Sequence, residues 1–65
     1  MPVSTVLKII NRQGANPAVV VAGQALLDAH RRWRANPTGA NQVDFMARMD
    51  AFSKLTGQRF TKITK

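Results

Sequence analysis

The sequence predicts an all-α fold: a small three-helix antiparallel domain over residues 1–57, with a basic C-terminal tail over 58–65. Three observations predict it. Apolar residues recur at helical rather than strand spacing. Asn-Pro pairs at Asn16-Pro17 and Asn36-Pro37 punctuate the chain where helices would start and stop. Each of the three acidic residues stands four positions before a basic one: Asp28 before Arg32, Asp44 before Arg48, Asp50 before Lys54. Acid before base at this spacing is the favourable orientation for an ion pair on a helix face.

The first helix is expected from about Ser4 to Gln13. Val3, Val6, Leu7 and Ile10 mark its apolar face, with Lys8 and Arg12 four apart on another face. Ser4 reads as its N-cap and Gly14 as its stop. The β-branched Val6, Ile9 and Ile10 also suit a strand, but their spacing fits a period of 3.6 better than 2.

The second helix is expected over Ala18–Ala35, capped by Asn16. Its two apolar stripes are Val19, Ala22, Leu26, Ala29 and Trp33, and beside them Val20, Gly23, Leu27 and His30. Together they exceed the arc of a surface helix, so this helix is expected to lie between two neighbours. The third helix is expected to be capped by Asn41, with Asp44 in its first turn. Phe45, Met49 and Phe52 form its stripe, and Gly57 its stop. Leu26, Trp33, Phe45, Met49 and Phe52 are the expected core.

Ten Lys and Arg against three Asp and no Glu leave a net charge of +7. A surface poor in acids approaches phosphates or carboxylates without repulsion. If the three acids neutralise their i+4 partners, the excess falls on Lys8, Arg12, Arg31, Arg34, Arg59, Lys62 and Lys65. These seven are the expected contacts to an anionic partner. The densest run is His30-Arg31-Arg32-Trp33-Arg34, in which cations flank an indole.

The chemistry for catalysis is thin. There is one His, no Cys, no Glu and no Tyr, so His30 is the sole group that titrates near neutral pH. A metal centre needs three or four ligands that this inventory does not supply, and glycine-rich phosphate loops are absent. No enzyme activity, cofactor or small-molecule substrate is expected. A helix-turn-helix reader is rejected because its reading helix would open on Ala18-Val19-Val20-Val21-Ala22, which cannot hydrogen-bond base edges. The turn between the second and third helices also reads as too long for that motif.

The expected function is therefore a small non-enzymatic basic module for an anionic surface, nucleic-acid backbone first, without sequence readout. The alternative is a protein-interaction factor that meets an acidic protein surface, as an inhibitor or as an assembly component such as one in a virion. A homodimer is a further expected partnership, because so short a chain hides little of its surface alone. No apolar run is long enough for a membrane span, and Met1-Pro2-Val3 does not open a secretory signal. A cytoplasmic or virion location is expected, suited to an accessory protein of a virus or mobile element.

Overall fold

A computed structural model describes residues 3–57 of the chain, and its described residues form three helices and no strand. They are α1 (Val3–Ile10), α2 (Pro17–Ala35) and α3 (Gly39–Thr56). The basic tail, with Arg59, Lys62 and Lys65, lies outside the described residues.

α1 is shorter than the sequence suggests and begins a residue earlier, so Ser4 sits inside it rather than capping it. Its end is tightened by an Arg12 N–H donated to Ile9 O at 3.4 Å, a three-residue reach instead of four. Gly14 then takes a φ of 77°, a left-handed conformation that costs glycine little. Arg12 thus stands in the turn, not four along a helix face from Lys8. The buried face of α1 is Val6, Ile9 and Ile10, while the expected Leu7 is 41% exposed. Ile9 and Ile10 lie on either side of the line through Val6, and Leu7 is turned about 100° from it.

α2 begins as expected. The Asn16 side chain accepts the Ala18 N–H at 2.8 Å, and Pro17 occupies the first helical position, where no amide hydrogen is needed. At its end Asn36 N–H reaches Arg32 O at 2.9 Å. Pro37 then makes a tight turn in which Thr38 N–H donates to Asn36 O at 2.8 Å.

α3 is capped by Thr38, not Asn41. Thr38 Oγ1 accepts the Asn41 N–H at 3.2 Å, and the Asn41 side chain instead donates to Asn36 O at 2.8 Å. The helix therefore starts at Gly39, and Asp44 lies beyond its first turn. Gly57 closes it with φ 73° and an N–H donated to Ser53 O at 2.8 Å.

α2 is central, with α1 and α3 both packed on it. α2 and α3 run antiparallel: Arg32 meets Asp44 near the turn, and Gly23 lies by Phe52 toward the other end. The connection is only Asn36–Thr38, so length does not separate it from a helix-turn-helix. The geometry does, because these helices lie side by side instead of crossing steeply.

The core holds Val6, Ile9, Ile10, Leu26, Ala29, Phe45, Met49 and Phe52, with Val3, Val19, Val20, Ala22, Leu27 and Trp33 packed partly against it. Four of the five expected core residues are buried; Trp33 is half-buried. It stands in the last turn of α2, one face stacked on Phe45 at a centroid distance of 5.6 Å and 17° between planes. Gly23 is the point of closest approach. Ile10 Cγ2 occupies the space a β-carbon there would need, and Phe52 Cε1 would be 3.0 Å from it.

Candidate anionic-partner surface

The charges are distributed unevenly among the helices. α1 and its turn contribute Lys8 and Arg12 and no acid, whereas Asp28, Asp44 and Asp50 all lie on α2 and α3. The expected Asp28–Arg32 pair does not form. Asp28 Oδ1 instead accepts from Arg31, three residues on, and Arg32 crosses to Asp44 of α3 at 3.0 Å. The neighbouring helix offers Arg32 a carboxylate within reach, and Arg31 takes the one on its own helix.

The other two expected pairs are present: Asp44–Arg48 at 3.4 Å and Asp50–Lys54 at 3.1 Å. Asp44 is thus shared by Arg32 and Arg48, and two guanidiniums against one carboxylate leave a surplus of one positive charge between α2 and α3. Arg31 is engaged rather than unpaired, although its pair is highly exposed and holds it only weakly.

Among the described residues, Lys8, Arg12 and Arg34 make no ion pair. Lys8 and Arg12 belong to α1 and its turn, and Arg34 to the last turn of α2. Gly23, Leu27, His30 and Arg34 recur at i, i+4, i+7 and i+11, so they share a helix face. Ile10 of α1 rests on that face at Gly23, and α3 meets it too, through Phe52 at Gly23 and Phe45 at His30. Arg34 lies on this face near the Asn36 turn. Lys8 is exposed on α1, and Arg12 is in the turn at the opposite end of α2. From Val19, beside Arg12, to Arg34 is about 22 Å along the axis at 1.5 Å per residue.

Arg31 is one turn before Arg34 and close to the same edge, while Arg32 faces α3. The run of three arginines is therefore split across faces, and the expected cluster around Trp33 is not a single patch. Trp33 packs on Phe45 and is half-buried against the core.

His30 is half-buried beside Phe45, its ring centroid 5.2 Å away and tilted 48°. Burial, and then neighbouring positive charge including Arg34, holds its pKa below the ordinary 6.5. Among the described residues no His, Cys, Asp and Glu side chains gather in the three or more that would hold a metal ion. No described helix is long and apolar enough to cross a membrane.

A cleft of about 260 Å³ opens where the end of α1, the start of α2 and the end of α3 meet. Ile9, Arg12, Gly14, Ala15, Asn16, Val19 and Thr56 line it. Sequence reading assigned Arg12 to a helix face and so missed this cleft; the glycine at position 14 was its one visible signal. No protein-family model, curated protein or solved structure matches the chain.

Proposed function

We propose that the protein is a non-enzymatic binding module whose α1 side lies along an anionic polymer, nucleic-acid backbone first, without reading base sequence. One observation carries this reading: among the described residues Lys8, Arg12 and Arg34 have no acid partner, and α1 with its turn carries no acid. Lys8, Arg12 and Arg34 span about 22 Å, which matches some six phosphate steps at 3.4 Å along one strand. Arg31 adds a fourth cation whose exposed pair exchanges readily for a phosphate. Arg59, Lys62 and Lys65 add three further charges from the tail.

Titration of a labelled duplex at about 50–100 mM salt tests the reading, since non-specific contacts are strong there. Micromolar binding supports it. Absence of binding to the duplex and to a single strand alike ends it.

A second reading, a protein-interaction factor, is favoured by one feature. Val21 stands eleven residues before Arg32 and Leu55 eleven after Asp44, so both lie about three turns along the flank that carries the Arg32–Asp44 bridge. They are 66% and 52% exposed, an apolar pair on the side away from α1. A protein interface here would respond little to salt, unlike phosphate binding. Light scattering that finds a dimer in the parent and a single chain in Val21→Asp would favour it.

A further inference from the structure

We infer that the cleft beside Arg12 takes one unstacked nucleotide, so that the module prefers single-stranded over duplex nucleic acid; this rests on the nucleic-acid reading above. The lining combines what such a unit needs. Ile9, Ala15 and Val19 give apolar surface for a base or sugar face. Arg12 stands at the same cleft with no carboxylate partner, and its charge suits the attached phosphate. Asn16 spends its Oδ1 on the Ala18 N–H, which leaves its NH2 group as a donor toward a base edge.

The volume, about 260 Å³, is just below the usual range for small-molecule pockets and suits one nucleotide unit rather than a larger ligand. A base can enter it only out of its stack. Unstacking is costly in a duplex and far less so in a single strand. Lys8 and Arg34 touch either form through phosphates alone. The preference for single strands therefore comes from the cleft, while duplex affinity comes from the cations outside it.

The test uses the full chain and fluorescence anisotropy at about 100 mM salt. The probes are a short oligothymidylate, a duplex with as many phosphates per strand, and an abasic strand of the same length. The expected result is single-strand binding about tenfold or more tighter than duplex, with the abasic strand falling to the duplex level. Ala15→Leu, which fills the cleft, should remove that preference and leave duplex affinity within about twofold. Its helical content and melting are checked by circular dichroism. Should it not fold, Arg12→Gln, at an exposed position, should weaken single-strand binding more than duplex binding and so narrow the preference.

Equal binding of single strand and duplex by the parent overturns this inference and leaves the backbone reading intact. A preference that survives in the filled or neutralised cleft also overturns it. Binding of none of the probes overturns both.

Discussion

The side chain of Ile10, at the end of α1, sits over the bare backbone of Gly23 in α2, with Cγ2 in the space a β-carbon would take. Phe52 of α3 closes on the same point. All three helices thus converge on one glycine. In an isolated helix Gly→Ala would gain about 1 kcal/mol of propensity. Here the added methyl forces Ile10 and Phe52 aside, an overpacking cost of about 1–3 kcal/mol. Gly23→Ala should therefore lower the melting temperature, and should lower it less when introduced into Ile10→Ala than into the parent. A Gly23→Ala variant that melts higher than the parent would show that α1 does not pack there.

Leu26 is fully buried at the centre of α2. Leu26→Ala should cost about 2–5 kcal/mol, a large share of the stability of so small a domain. Leu55→Ala, at an exposed site on α3, should cost less than about 0.5 kcal/mol. Denaturant titration of both variants compares them, and equal losses would contradict the packing described.

The bridge from Arg32 to Asp44 joins α2 to α3, whereas Asp28 to Arg31 stays within one helix. Both are exposed, so each is worth about 0.2–1 kcal/mol. A double-mutant cycle between Arg32 and Asp44 should give a coupling in that range, reduced by salt. A cycle between Asp28 and Arg32 should give a coupling near zero. The opposite ranking would restore the simple i, i+4 pairing.

His30 ties stability to pH. Burial and positive neighbours hold its folded-state pKa below 6.5, so the unfolded chain binds more protons below that pH. Stability then falls as pH is lowered from 6.5 through the folded-state value, and the contribution is fully present above 6.5. Thermal melts between pH 7 and about pH 5 should show this decline, and His30→Gln should flatten it. An unchanged slope in His30→Gln would assign the decline elsewhere.

The helices were readable from the sequence because their signals are local. Asn16-Pro17, Asn36-Pro37 and Gly57 act within one turn, and Phe45, Met49 and Phe52 follow strict helical spacing. Features set by tertiary contact were less legible. The rule for i, i+4 pairs assigned Arg32 to Asp28, yet Asp44 on the adjoining helix offers the nearer partner. Thr38 displaced Asn41 as the cap because the tight Pro37 turn brings its hydroxyl to the first turn and frees Asn41 to satisfy Asn36 O. Arg12 was placed on a helix that ends two residues earlier. For the candidate surface, Lys8, Arg12 and Arg34 were visible as surplus charge. That Arg34 rather than Arg31 would be the unpaired arginine of the run was not, since it depends on which side chain reaches Asp28.

The most direct test of the account compares salt dependence in two variants of equal net charge. One carries Lys8→Gln and Arg34→Gln, removing cations that have no acid partner. The other carries Arg48→Gln and Lys54→Gln, removing cations already held by Asp44 and Asp50. The logarithm of the duplex association constant is measured against the logarithm of salt concentration. The first variant should lose about 1.8 from the magnitude of the slope, about 0.9 for each phosphate contact, while the second stays close to the parent. Equal losses in both variants, or a parent whose binding ignores salt, would contradict it.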